Sequence, residues 1–124
     1  MENKPFAVWQ ISENESVNLV LEAAQICELE NKLGGRNLMS AIGNNDTGMP
    51  SLRTMMLVTH AALQRFNHDK KMSDVYSMYD RYIANGGSQV DFYAGVYVPI
   101  FQASGFFPRE QADELGEKLE DMKA

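Results

Sequence analysis

The chain has 124 residues, of which 44% are hydrophobic and 23% charged, and its 17 acidic and 11 basic side chains give a net charge of −6. This length suits one domain with one hydrophobic core. The acidic balance argues against a nucleic-acid or anionic-membrane binder, since both partners attract basic surfaces. The single cysteine excludes an internal disulfide, and no apolar run approaches the ~20 residues of a membrane span. With no secretion signal visible, we expect a soluble, cytoplasmic protein.

The N-terminal residues 1–21 predict a β-hairpin. Residues 5–11 (PFAVWQI) and 16–21 (SVNLVL) are short apolar runs separated by a polar, turn-like segment. A two-stranded hairpin is marginal alone, so we expect it to pack on helices or to pair with a partner's strand. The alternative is one long helix capped by Ser16, because apolar residues also recur at helical spacing at Leu19, Ala23, Ile26 and Leu33.

The middle of the chain predicts two helices with loops between them. The first covers residues 22–33 and ends at Gly34-Gly35, and one or two further helical turns fit residues 36–42. After the loop of residues 43–50, Pro50 and Ser51 begin a helix that extends to about Asn67. Its apolar surface is wide, which indicates a central helix covered on more than one side.

Residues 73–107 predict two amphipathic helices joined by a glycine pair. Ser73 is the expected N-cap of the first, which ends at Gly86-Gly87, and Ser88 with Asp91 resembles a capping box for the second. Pro99 lies inside the second helix and should kink it about one turn upstream. The apolar stripes are Val75, Tyr76, Tyr79, Tyr82 and Ile83, and then Phe92, Tyr93, Val96, Tyr97, Ile100 and Phe101.

Gly105 ends this second helix, and Pro108 begins a last, acidic helix. We therefore predict a mainly α fold, a small bundle of about five helices with a short N-terminal β-hairpin, in a single domain. Its parts are the hairpin at residues 1–21, a helical core at residues 22–107 and a C-terminal helix at residues 108–124.

No grouping of residues predicts catalysis, a cofactor or a metal. His60 and His68 lack the spacing of a zinc motif, and the glycines around residue 45 lack the lysine of a phosphate loop. Asp80 is interpreted as a surface acid, and Cys27 as a small buried hydrophobe. We expect a protein that is not an enzyme and that works by contact.

The aromatic residues are the candidates for that contact. The tyrosine stripes are either core or an interface, where tyrosine is enriched, and the sequence favours neither. The phenylalanine pair after Gly105 is hard to bury completely and indicates a docking or packing latch. The candidate protein-interaction residues are Tyr79, Tyr82, Tyr93, Tyr97, Phe106 and Phe107.

Four motifs occur in a characteristic order: ELENKLG at 28–34, Pro-Ser-Leu at 50–52 followed by a histidine-containing helix, YDRYIANGG at 79–87 and FQASGFF at 101–107. In order and spacing they resemble the tail assembly chaperones of long-tailed (siphovirus) phages and prophages of Gram-positive bacteria. The resemblance covers about residues 28–107, and its motifs mark where helices begin and end.

This resemblance implies a small, largely helical chaperone made in the host bacterial cytoplasm. Such proteins bind the tape measure protein, keep its apolar helices from aggregating and recruit tail tube subunits, and many also exist in a longer, frameshifted form. The implied partners are the tape measure protein, the tail tube protein and further copies of the chain. The alternative is a generic acidic helical adaptor or regulator of prophage origin.

Overall fold

The computed structural model describes residues 6–43 and 48–108 of the chain. It confirms a mainly helical fold with an N-terminal antiparallel hairpin. The elements in chain order are β1 (Ala7–Ser12), β2 (Glu15–Leu19), α1 (Ala23–Lys32), a 3-10 turn (Leu38–Ala41), α2 (Leu52–Leu63), α3 (Met72–Ala84) and α4, which is built of three consecutive segments, Gln89–Phe92, Tyr93–Tyr97 and Val98–Ala103. The helix expected to follow Pro108 lies outside the described residues.

The hairpin forms because its side chains alternate between the core and solvent. In β1 the side chains of Ala7, Trp9 and Ile11 are buried, whereas Val8 and Gln10 are exposed. The indole of Trp9 meets the ring of Phe92 edge-on, with 5.0 Å between the ring centroids. The hairpin therefore packs on the helices, and the alternative of one helix from Ser16 is wrong, since β2 must extend to pair with β1.

α1 is a surface helix that ends at a glycine pair, as the sequence predicts. Gly34 and Gly35 both have positive φ, and the N–H of Gly35 donates to the carbonyl oxygen of Glu30 at 2.8 Å. Leu29 is the buried side chain of this helix. Cys27 lies two residues earlier, about 200° around the helix. It is exposed, so its interpretation as a buried hydrophobe is wrong.

α2 is the central helix. The Ser51 hydroxyl accepts a hydrogen bond from the Thr54 N–H at 3.1 Å, which confirms the predicted start. Its buried residues lie within an arc of about 160° around the helix, and the helix contacts α1, α3 and β2; they are Met55, Met56, Val58, Thr59, Ala62 and Leu63. It ends at Leu63, four residues short of the prediction. Hydrogen-bonded turns follow, in which the N–H groups of Phe66 and Asn67 both donate to the carbonyl oxygen of Leu63, and the ring of Phe66 packs on Phe6 at 5.6 Å between ring centroids.

α3 begins at Met72, one residue before the predicted cap Ser73. The carboxylate of Asp74 accepts a hydrogen bond from the backbone N–H of Lys71 at 2.8 Å, so Asp74 rather than Ser73 satisfies the start of the helix. Near its other end, the Arg81 guanidinium binds both carboxylate oxygens of Glu15, at 2.9 and 2.6 Å. This pair joins α3 to the start of β2.

α4 contains a π-helical turn at Tyr93–Tyr97, which ends two residues before Pro99. A proline donates no backbone hydrogen bond, and its ring would collide with the carbonyl four residues earlier, that of Gly95. In the wider turn the N–H of Val98 donates instead to the carbonyl of Tyr93. The predicted irregularity upstream of Pro99 thus takes the form of a π turn. The helix begins at Ser88, whose hydroxyl accepts from the Asp91 N–H at 3.1 Å.

Candidate interaction surfaces

A cleft of about 320 Å³ lies between the N-terminal half of α2 and the middle of α3. We call it the α2–α3 cleft, and its lining residues are Leu52, Arg53, Met56, Tyr76, Tyr79 and Asp80. Its inner surface is mainly apolar, since Met56 is buried and Leu52 half-buried. Arg53 and Asp80 are exposed on opposite walls, one on each helix. The cleft thus has an apolar floor and one charge of each sign at its rim.

Tyr76 makes this cleft continuous with an exposed stripe on α3. It is 44% exposed, and Ile83, seven residues later on the same helical face, is 41% exposed. Asp80 lies between them in the same row. An amphipathic helix normally turns its apolar row inward, so two large apolar side chains in an outward row indicate a surface for contact.

Tyr79 is the inner tyrosine of the same cleft. Its side chain is buried, and its ring meets that of Phe92 edge-on, at 5.5 Å between centroids. Burial raises the pKa of Tyr79, and the neighbouring Asp80 carboxylate raises it further. The hydroxyl therefore stays neutral well above physiological pH, so the cleft offers apolar surface and a neutral polar group.

A second cleft, of about 470 Å³, lies between the tip of the hairpin and the C-terminal end of α3. We call it the hairpin cleft, and it is lined by Gln10, Ile11, Ser12, Glu13, Asn14, Tyr82, Asn85 and Gly87. Most of these side chains are polar, in contrast to the α2–α3 cleft. Two side-chain amides at its wall are already engaged through their N–H groups: Gln10 donates to the Ser12 carbonyl and Asn85 to the Arg81 carbonyl.

Tyr82 lines the hairpin cleft with one part of a ring that otherwise belongs to the core. Its centroid lies 5.9 Å from that of Trp9 and 6.0 Å from that of Phe92. Burial, and to a lesser degree the charge of Asp91, raises the pKa of Tyr82. Tyr82 is half-buried and therefore contributes to packing and to the cleft surface at once.

Tyr93 and Tyr97 lie inside the molecule. Tyr97 is fully buried and Tyr93 nearly so, and their hydroxyls donate to the carbonyl oxygens of Ala41 and Ile42, at 2.7 and 2.9 Å respectively. Burial raises the pKa of both phenols. These contacts hold the 3-10 turn against α4. For these two tyrosines the geometry favours the core alternative that the sequence leaves open.

Phe106 and Phe107 follow α4 and are half-buried against the core. The ring of Phe106 meets that of Phe101 edge-on, with 4.9 Å between centroids. Just before them, the Ser104 hydroxyl accepts a hydrogen bond from the Leu21 N–H at 2.8 Å, which fixes this end of the helix to the chain after β2. The pair packs as a partial cover over the core, and part of each ring faces solvent.

The six predicted contact residues thus occupy four separate places. Tyr79 and Tyr82 line two different clefts, Tyr93 and Tyr97 lie in the core, and the phenylalanine pair lies beyond α4. Sequence reasoning missed Leu52, Arg53 and Met56, and it placed Tyr76 in the stripe without selecting it. Tyr76 could have been identified as exposed from Asp80, a charged residue four positions later on the same face of α3.

The side chains of His60 and Asp80 lie apart, so they do not form one polar pocket. Asp80 meets the start of α2 near Leu52, whereas His60 is eight residues further along, about 12 Å. His60 Nε2 lies 2.9 Å from the carbonyl oxygen of Lys70, which accounts for this half-buried ring. Within residues 6–43 and 48–108, no three His, Cys, Asp or Glu side chains are grouped closely enough to hold a metal.

None of the described helices is long and apolar enough to span a membrane. Comparison with known proteins finds no matching family model, no matching curated protein and no matching solved structure.

Proposed function

We propose that this chain is a phage tail assembly chaperone that binds apolar helical segments of a tape measure protein and assists assembly of the tail tube, without enzymatic activity. The order and spacing of the four sequence motifs, from residue 28 to residue 107, suggest the family. The observation that carries the binding mode is the α2–α3 cleft, which is apolar inside and continues into the exposed row of Tyr76 and Ile83.

The size of the cleft suits side chains of a helix rather than a whole helix. An apolar cavity of about 150 Å³ accepts a benzene molecule, so a cleft of about 320 Å³ has room for two large apolar side chains. Helices that dock in grooves insert such anchors at positions i and i+3 or i+4. Tyrosine and methionine at the wall support this use, since they offer large, adaptable contact area.

The two charged residues at the rim of the cleft would orient a bound helix. Arg53 on α2 and Asp80 on α3 form no ion pair with another described residue. A bound helix with an acidic residue on one flank and a basic residue on the other would pair with both. Such rim charges steer association and set orientation more than they add affinity.

The test is co-expression of the chain with the tape measure protein encoded beside it. We expect more tape measure protein in the soluble fraction, and we expect Tyr76→Ser to remove most of this gain. The matched control is Phe66→Ser, which removes an aromatic ring of similar exposure outside the cleft. An unchanged soluble fraction with the wild-type chain would refute the function, and equal losses with both variants would refute the cleft.

A further inference from the structure

We propose that the pair Asn85-Gly86 at the end of α3 is a site of spontaneous covalent modification, where opening of the last helical turn converts Asn85 to aspartate and isoaspartate. The site lies outside the α2–α3 cleft, so the inference does not depend on the proposed chaperone function. It rests on three observations: the residue that follows the asparagine, the exposure of the pair, and the hydrogen bonds that engage both reacting groups.

Asn85 is the one asparagine in the sequence that a glycine follows. In deamidation the backbone nitrogen of the next residue attacks the side-chain amide carbon, and a β-carbon on that residue hinders the approach. Glycine has no β-carbon. Both Asn85 and Gly86 are exposed, and a β-carbon built on Gly86 would meet nothing within 4 Å. No packed neighbour therefore obstructs the attack.

The reaction consumes water and needs no other reactant. The backbone nitrogen of Gly86 loses its proton and bonds to Cγ of Asn85, the Cγ–Nδ2 bond breaks, and Nδ2 leaves as ammonia. Water then hydrolyses one of the two C–N bonds of the succinimide ring. Hydrolysis at Cγ gives aspartate, whereas hydrolysis at the backbone carbonyl carbon gives isoaspartate, in which the main chain runs through the former side chain. Both products place a carboxylate at the wall of the hairpin cleft.

In the folded chain the last turn of α3 engages both reacting groups. The Gly86 N–H donates to the carbonyl oxygen of Ile83 at 3.1 Å, and Nδ2 of Asn85 donates to that of Arg81 at 2.7 Å. Attack requires that the nitrogen leave Ile83 and that the side-chain amide rotate away from Arg81. Helix ends open locally at a lower free energy than the whole fold. Opening of this turn therefore sets the rate of the reaction in the native chain.

Isoaspartate would disturb packing beyond the turn. It adds one carbon to the main chain directly before Gly86, whose N–H, with that of Gly87, closes the helix on the carbonyls of Ile83 and Tyr82. The ring of Tyr82 lies against Gly87, since a β-carbon built on that glycine would lie 2.5 Å from it. The same ring packs on Trp9. The environment of Trp9 therefore reports a displacement of this turn.

The experiment incubates the full chain at mildly alkaline pH, which favours loss of the Gly86 amide proton, and follows its tryptic peptides by mass spectrometry. Residues 82–109 form one peptide, in which Asn85 is the only asparagine, and residues 66–70 form another, which contains Asn67. We expect the mass gain of amide-to-acid conversion in the first peptide and not in the second. Asn85→Gln should abolish it, because the longer side chain must close a larger ring. Urea should accelerate it, because unfolding removes both hydrogen bonds.

The Glu15–Arg81 ion pair allows a test of the opening step. It ties the last turn of α3 to the hairpin, so Glu15→Gln should speed the conversion about two- to five-fold, the range of one exposed ion pair. Glu28→Gln, the same charge change at an exposed site on α1, should leave the rate unchanged. In the separated isoaspartate product, the fluorescence emission of Trp9 should shift to longer wavelength.

Four results would overturn the proposal. Equal conversion in the two peptides would remove the site. A native rate equal to the rate in urea, or an unchanged rate in Glu15→Gln, would refute control by opening of the turn. An unchanged Trp9 emission in the isoaspartate product would refute the effect on the packing of the hairpin.

Discussion

The ring of Tyr82 rests directly on the backbone of Gly87. A β-carbon built on Gly87 would lie 2.5 Å from both Cε2 and Cζ of the tyrosine, which is far inside van der Waals contact. Gly87 does not have positive φ, unlike its neighbour Gly86, so it is required for space and not for backbone conformation. The same ring packs on Trp9 and Phe92. A displacement of Tyr82 would therefore also disturb the packing of the hairpin, through Trp9.

Gly87→Ala should destabilise the fold by about 1–3 kcal/mol, the usual cost of overpacking, because Tyr82 is clamped by two other rings and cannot move freely. Chemical denaturation followed by the fluorescence of Trp9, the one tryptophan in the sequence, measures this loss.

The control for this clash is a double-mutant cycle with Tyr82→Ala. If the two side chains collide, Gly87→Ala should cost much less in the Tyr82→Ala background. Gly86→Ala is a second comparison, because its β-carbon meets nothing within 4 Å and strains only the backbone at φ +98°. Its cost should be about 1 kcal/mol and independent of Tyr82.

The hydroxyls of Tyr93 and Tyr97 tie α4 to the 3-10 turn. Tyr97→Phe should cost about 1–3 kcal/mol, because it leaves the buried carbonyl of Ala41 without this donor while the ring keeps its packing. Tyr93→Phe acts in the same way on Ile42. Urea denaturation of both variants measures the loss, and a change below about 0.3 kcal/mol would mean that these bonds add nothing net.

The buried phenols also predict a loss of stability at high pH. Burial raises the pKa of Tyr97, Tyr93, Tyr82 and Tyr79 above the unfolded value near 10. Their contribution is complete below about pH 10 and is lost as the pH rises from there toward the folded pKa values, because the unfolded chain then binds fewer protons. The free energy of unfolding between pH 8 and 11.5 should fall, and it should fall less steeply in Tyr97→Phe. If the free energy of unfolding fell equally steeply with pH in wild type and Tyr97→Phe, the buried Tyr97 phenol would not be a cause of the loss.

Much of the fold is predictable from the sequence because residues close together in the chain determine where each strand and helix begins and ends. Period-two alternation predicts the hairpin, and glycine pairs predict where α1 and α3 end. Ser51 and Ser88 act as the N-caps that their positions indicate. Ser73 does not, since Asp74 can satisfy the N–H of Lys71 and the helix gains two residues, Met72 and Ser73. Two adjacent capping candidates make such a boundary ambiguous from sequence.

The surfaces are less predictable, because exposure depends on which elements pack together. A helical stripe shows which residues share a face, and it does not show which edge of that face is covered. Tyr76 and Tyr79 lie in one stripe, yet one is exposed and the other buried against Phe92. The pairing of Glu15 with Arg81, 66 residues away, is likewise a product of tertiary structure alone.

The Glu15–Arg81 pair should contribute little to stability, despite its bidentate geometry. Both side chains are more than one-third exposed, so solvent screens the pair, and Glu15→Gln should cost less than about 1 kcal/mol at neutral pH. The hydrogen bond to Arg81 lowers the pKa of Glu15. The contribution is therefore present above the unfolded pKa near 4.3 and disappears as the pH falls below it. The difference in stability between wild type and variant should shrink as the pH falls below about 4.3 and through the lowered pKa of folded Glu15, and a difference that stays constant would contradict an electrostatic origin.

Phe106 and Phe107 either cover the core alone or also contact a partner protein, and alanine variants distinguish these two roles. Phe106 packs on Phe101, so Phe106→Ala should lower the free energy of unfolding by about 1–3 kcal/mol, less than a fully buried phenylalanine. Helix content at 25 °C, measured by circular dichroism, should stay near wild type in both alanine variants, since both rings follow α4. If the exposed parts of these rings contact a partner, both variants should reduce binding of the tape measure protein by more than their stabilities explain. Binding that tracks stability alone would make the pair a cover for the core and nothing more.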